Sequence, residues 1–209
     1  MPSFASGSTA ATLLTPQEIT ADGNSPGIDI TAYQGEIMVL LTGKSNAGTN
    51  PTMACKLQHA QGGDIITSVT PGSNTGNGTC TQVYGGADAV AETITVTFSN
   101  ATTFAVSGSV TGAMAGGTVG TLYSTPQVEF LITAGSAAFI NGDTFAIVVA
   151  ARTYSDVGAG AFTGMTSVGS VQRLAVNADA LGKYLRLNMD IGGTNSPKFT
   201  LSAAVFGTV

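Results

Sequence analysis

Hydrophobic residues recur at every second position along most of this chain. Ile94, Val96 and Phe98 alternate with Thr93, Thr95 and Thr97, and Val128, Phe130 and Ile132 alternate with Gln127, Glu129 and Leu131. Leu185, Leu187, Met189 and Ile191 alternate with Tyr184, Arg186, Asn188 and Asp190. A period of two places successive side chains on opposite faces of a pleated strand, one face for a core and one for solvent. Met53, Cys55 and Leu57, then Phe104 and Val106, then Phe145, Ile147 and Val149, and finally Phe199, Leu201, Ala203 and Val205 repeat the pattern. The continuous apolar run Ile37 to Leu41 predicts a strand covered on both faces. No stretch carries a sustained helical period with caps; one short helical turn is expected between Asn177 and Leu181. The fold class this predicts is all-β.

Gly, Asn and Pro clusters separate the strands. Gly43 to Pro51 reads as a loop, Asn141-Gly142-Asp143 as a tight turn, and Gly192 to Pro197 as a turn before the last strand. The first 15 residues are rich in Ser, Thr, Ala and Gly and show no period, which predicts a flexible N-terminal arm over residues 1–15. Its apolar members Phe4, Leu13 and Leu14 are candidates for contact with a neighbouring subunit. The strands before Asn77 are too few for a closed core, so they must pair with those after Phe162. A frame of residues 16–75 plus 162–209, with a small β module of residues 76–161 inserted in it, is the expected division. Insertion is tolerated where the ends of the inserted piece lie close together.

Charge narrows the function classes. Only 9% of the 209 residues are charged, against roughly 25% in ordinary globular proteins. Hydrophobic residues nonetheless make up 43%, enough to exclude a disordered chain. The net charge is -5, and the seven Lys and Arg residues are scattered without a run. Direct nucleic-acid binding, which needs clustered cations, is not expected. No apolar stretch is long enough for a membrane helix, and Met1 to Thr15 lacks the basic and apolar segments of a secretory leader. A cytoplasmic setting in turn predicts that Cys55 and Cys80 are reduced, with a bridge between them as the alternative.

Candidate chemistry is sparse. His59 is the sole histidine, follows the Met53–Leu57 strand, and reads as a strand-end surface residue. Asp64, Asp88, Asp143 and Asp156 stand in Gly-rich loops, but no loop carries acidic ligands at alternating positions, so they read as turn formers. Asn77-Gly78-Thr79 and Asn100-Ala101-Thr102 match the glycosylation pattern and read as incidental without a leader. No catalytic residue, cofactor or metal is expected.

Two stretches carry a resemblance. Gly27-Ile28-Asp29-Ile30, Tyr33-Gln34-Gly35-Glu36, Gly48-Thr49-Asn50-Pro51-Thr52, Gly182 to Leu187 and Gly192-Gly193-Thr194 resemble the outer frame of a β-sandwich family common in phage head modules. Gly76-Asn77-Gly78-Thr79, Val119-Gly120-Thr121, Phe130 to Gly135 and Phe139 to Phe145 resemble a small module of tailed-bacteriophage head-decoration proteins. Together they cover about residues 27 to 205. The resemblance implies a jelly-roll-like β-sandwich frame with an inserted β module, in a non-enzymatic virion protein assembled in a host cytoplasm. It implies a decoration or cement role on the capsid exterior, with the major capsid protein as partner and a homo-oligomer, a trimer by preference. Other virion positions (head fibre base, tail tube or tail-associated protein) are the alternative, and a carbohydrate-binding β-sandwich a more distant one.

Overall fold

The computed structural model describes residues 8–166 and 169–209, and it is all-β. In chain order the strands are β1 (Ser8–Ile19), β2 (Gly23–Asn24), β3 (Ile28–Asp29), β4 (Gln34–Ala60), β5 (Ile66–Pro71), β6 (Thr79–Gly85), β7 (Glu92–Phe98) and β8 (Thr103–Gly108). Then come β9 (Gly112–Thr118), β10 (Leu122–Ser124), β11 (Val128–Thr133), β12 (Thr144–Val149), β13 (Ser155–Ala161), β14 (Ser170–Asn177) and β15 (Tyr184–Thr208). The expected helical turn is a single 3-10 turn, Ala178–Ala180, capped by the Asn177 side chain accepting from the Asp179 N–H. Two compact units emerge: a frame, Met1–Gly62 with Tyr154–Val209, and a module, Gly63–Thr153.

The frame is built on one long antiparallel ribbon. β4 and β15 pair from Tyr184 opposite Ala60 to Thr208 opposite Gln34. Midway, between the pairs Gly192–Thr52 and Phe199–Ser45, register shifts interrupt the ladder, leaving only Thr194–Thr49 and Lys198–Ala47 paired, and the ribbon bends. Equal numbers of residues, 193–198 and 46–51, fill the interruption, so the register is the same on both sides. The bend uses left-handed backbone at Gly48, Asn50, Gly193, Asn195 and Ser196. Gly48 and Gly193 also have no room for a side chain: a Cβ on Gly48 would lie 2.7 Å from the Pro197 Cα, and one on Gly193 would lie 3.0 Å from the Asn50 carbonyl oxygen.

Because the register is kept, odd-numbered residues face inward along both halves. Ile37, Val39 and Leu41 from one half of β4 and Met53, Cys55 and Leu57 from the other share one cluster with Leu185, Leu187, Leu201 and Val205 of β15. The two halves of the ribbon therefore pack inner face to inner face, the arrangement of a sandwich. β1 extends the half containing the β15 C-terminus, and β14 flanks the first half of β4 on its other edge. β2 and β3 pair with the start of β15, and β13 flanks the end of β4.

The module has two antiparallel sheets, β5-β12-β7-β8-β9 and β10-β11-β6. Their inner faces share a core of Ile94, Val96, Phe98, Phe130, Ile132 and Ile147, completed by aromatic rings. Phe98 stacks on Phe139 at 3.8 Å and meets Phe104 and Phe145 edge-on at 5.7 and 6.2 Å. The ends of the module are tied to one another, with the Ala150 N–H donating to the Ile65 carbonyl at 2.8 Å. On the frame side Ser155 faces His59 in the β13–β4 ladder.

Several expectations are revised. The boundaries fall at 62/63 and 153/154, not at 75/76 and 161/162, because β5 pairs with β12 inside the module and β13 pairs with β4 inside the frame. The arm expected over residues 1–15 is a strand from Ser8 onward, and Phe4 lies outside the described residues. Leu13 and Leu14 are each 2% exposed within the frame's own core, which removes them as subunit contacts. A register shift between Thr12 and Leu14 lets two consecutive side chains point inward, and a second follows before Gln17. The stretches 43–51 and 192–197 are not terminating loops but the bend within continuous strands.

Candidate functional site

The module keeps two of its five carboxylates inside. Asp143 immediately precedes β12, in phase with Phe145, Ile147 and Val149, and its side chain points inward and is 4% exposed. It accepts from the Thr75 and Gly76 N–H groups at 2.9 Å and from the Ile140 N–H at 3.1 Å. Burial opposes its ionisation, but the three donors outweigh burial and hold the carboxyl below its ordinary value. Asn74 reinforces the same loop by exchanging two hydrogen bonds with the Thr144 backbone. Glu92 stands likewise in phase with Ile94, Val96 and Phe98 and accepts from the Val110 and Thr111 N–H groups at 3.0 Å and from the Thr111 hydroxyl. Burial again opposes the charge, and those bonds again lower the value. Both anions close turns with backbone N–H donors and no cation.

Arg152, the module's one cation, is also committed. Its guanidinium donates to the Gly86 carbonyl at 2.8 Å, to Gly85 at 2.6 Å and to Gly63 at 3.3 Å. Asp64 caps its own turn by accepting from the Ile66 N–H. Both sequon asparagines are structural: Asn77 accepts from the Ala137 N–H, and Asn100 accepts from Thr102 and Thr103.

One outer face of the module is thereby left without charge. Glu92 is the only charged residue in the five strands of the larger sheet, and it is turned inward. The outward positions of the central strands are Thr93, Thr95 and Thr97 on β7, with Ala146 and Val148 beside them on β12 and Ala105 and Ser107 on β8. Short and β-branched side chains of this kind make a flat, stiff surface of hydroxyls and methyls.

In the frame, a concavity of about 300 Å³ is bordered by Thr31, Tyr33, Asp179 and Lys183. Its carboxylate is already engaged, Asp179 accepting from the Gly35 N–H, and the neighbouring Asp29 accepts from the Thr31 N–H and hydroxyl and lies 3.5 Å from the Lys183 ammonium. His59 is half-buried at the end of β4, and its Nδ1 accepts from the Gly182 N–H at 2.9 Å. Asp156 holds Lys56 at 2.7 Å and Gln58 at 2.8 Å on the outer face, which lowers its pKa. Both cysteines are free. Burial pushes the Cys55 thiol up to about 12 and the Cys80 thiol up to about 11, so neither ionises near neutrality. Among the described residues no three His, Cys, Asp or Glu side chains converge as metal ligands. No helix among them is long and apolar enough to cross a membrane.

No protein-family model matches the chain, and no curated protein matches it. Among solved structures, the chain is similar to FlgL of Xanthomonas campestris in two crystal forms, at 24% identity and a TM-score of 0.35. That match covers 48% of this chain and spans about a third of FlgL, 34% and 33% in the two forms. The VP16–VP17 complex of the two major capsid proteins of bacteriophage P23-77 aligns over 98% of this chain and 100% of its own, at 11% identity and a TM-score of 0.20. Likenesses at these scores assign neither a fold family nor an activity.

Proposed function

We propose that this chain is a structural, non-catalytic protein of a tailed-phage particle that docks on the outside of the assembled head and reinforces it. The observation that carries the proposal is the uncharged outer face of the module's five-stranded sheet, centred on Thr95. Covering hydroxyls and methyls strips no ion of its water, so contact needs no matched counter-charge, only hydrogen-bond partners for the hydroxyls. One such face binds weakly. A lattice that offers several subunits at once raises the effective concentration of each later contact. A ligand of the assembled shell that ignores free subunits stabilises the shell by mass action. The resemblance of the module's strand-and-turn motifs to head-decoration proteins supports the same reading.

The test adds the purified protein back to heads that lack it, across a salt series, and follows head integrity on heating. Heads should gain heat resistance, with binding little changed between low and high salt because few charges are screened. Thr95→Lys should weaken binding at least ten-fold while the isolated protein melts as before. Heads that are equally stable without the protein, or full binding by Thr95→Lys, would overturn the proposal. Recovery of the protein with tails instead of heads would move it to another part of the particle.

A further inference from the structure

The two outer faces of the frame differ in kind. Over its second half β4 turns Lys56 and Gln58 outward into a polar network: Asp156 takes both, Arg186 donates to Gln58 at 2.9 Å, and the Arg186 guanidinium lies 3.9 Å from the centre of the Tyr154 ring. Over its first half β4 turns Met38 and Leu40 outward instead. The ladders align Met38 with Phe206 on β15 and Ala175 on β14, and Leu40 with Ala204 and Arg173. Next along β14, Val171 is 60% exposed. The run Ile37 to Leu41 has the composition of a strand covered on both faces, and the folded chain covers one of them: Ile37, Val39 and Leu41 are fully buried, whereas Met38 and Leu40 are half-buried.

We propose that a second copy of this chain covers this face in solution, packing the two sheets outer face to outer face about a two-fold axis. The charges on this face favour a copy of itself. Arg173 and Glu36 are both exposed, lie on adjacent strands to either side of the Met38–Ala175 pair, and form no ion pair among the described residues. A two-fold axis lying in the contact plane between Met38 and Ala175 brings Arg173 of each copy over Glu36 of the other. An isologous contact requires this reciprocity. A flat face on its own copy gives a pair, in place of the trimer that the sequence resemblance implies.

The area sets the strength. Four strands spaced ~4.8 Å apart, with about six residues each at ~3.3 Å, give roughly 400 Å² per copy. That is about half of what a standard interface buries on each partner, so the pair is weak and transient. The proposal is independent of head docking, which uses the other unit.

Sedimentation equilibrium of the full chain, from about 10 µM to about 1 mM, tests it. The expected result is a monomer–dimer equilibrium. Leu40→Glu should leave a monomer at every concentration, with an unchanged circular dichroism spectrum and melting temperature. Arg173→Glu should weaken pairing about ten-fold, and adding Glu36→Arg to it should restore pairing. A wild-type monomer throughout, a trimer, a dimer that survives Leu40→Glu, or failure of the charge-swapped double variant to recover would each overturn the proposal. Because no phage head enters the measurement, each of those results would leave the docking proposal standing.

Discussion

In the frame, Lys56, Lys183 and Lys198 each reach a carboxylate across the surface, with every partner at least 40% exposed. In the module, Glu92 and Asp143 are almost fully buried and bind backbone N–H groups, and no lysine is present. The same residue types therefore act differently in the two units. Surface pairs trade water for a partner at little net gain. A buried carboxylate bound by several N–H groups fixes a loop, and losing it leaves donors unpaired where water does not reach. The frame uses charge to stay solvated, and the module uses it as internal bracing.

The largest expected effect follows from the separation itself. Replacing residues 63–153 with a short Gly/Ser link between the paired strands β4 and β13 should leave a folded frame with a cooperative melt. A variant lacking β-type circular dichroism would show that the frame depends on the module. Next, Phe98→Ala removes a fully buried ring that stacks on Phe139 and should cost the module about 3–5 kcal/mol. Hydrogen exchange should show the loss in β7, β8 and β12, with protection in β4 and β15 unchanged.

Acid should separate the units further. Glu92 and Asp143 have folded-state pKa values below the ordinary carboxylate value. Their stabilisation is therefore complete above that value, about 4, and is lost as pH falls through the folded value. Asp29 and Asp156 are lowered too, but both sit at the surface, where water takes over their bonds. Below about pH 4 the loops at residues 72–78 and 109–111 should gain exchange before any frame strand does. Simultaneous loss in both units would erase the distinction. The smallest effect is Lys198→Ala, which breaks an exposed pair with Glu18 and should change the frame's stability by less than about 1 kcal/mol by denaturant titration.

Strict alternation made most strands legible in the sequence, because nothing in β7, β11 or β12 interrupts the period. It failed where the backbone itself departs from the period. β1 carries two register shifts, so its inward residues Leu13 and Leu14 are adjacent and the segment looks aperiodic. The ribbon bend looked like two loops because Gly48, Asn50, Gly193 and Asn195 have turn composition, yet pairing resumes beyond them. The bracing carboxylates were detectable in principle. Glu92 and Asp143 occupy the apolar phase of their strands, and an acid in that phase must either be buried or break the pattern. What no periodicity encodes is which N–H groups meet them, since Thr75 and Asp143 are brought together only by the closed fold.

The matched lengths of the two strands through the bend have a consequence for how such a chain can change over generations. Adding one residue to β4 there would exchange inner and outer faces along everything beyond it on that strand, setting Ala54 and Lys56 in the place of Cys55 and Leu57. Length variation at the bend is therefore admissible only in steps of two. Single-codon insertions, harmless in an ordinary surface loop, should be purged at this one.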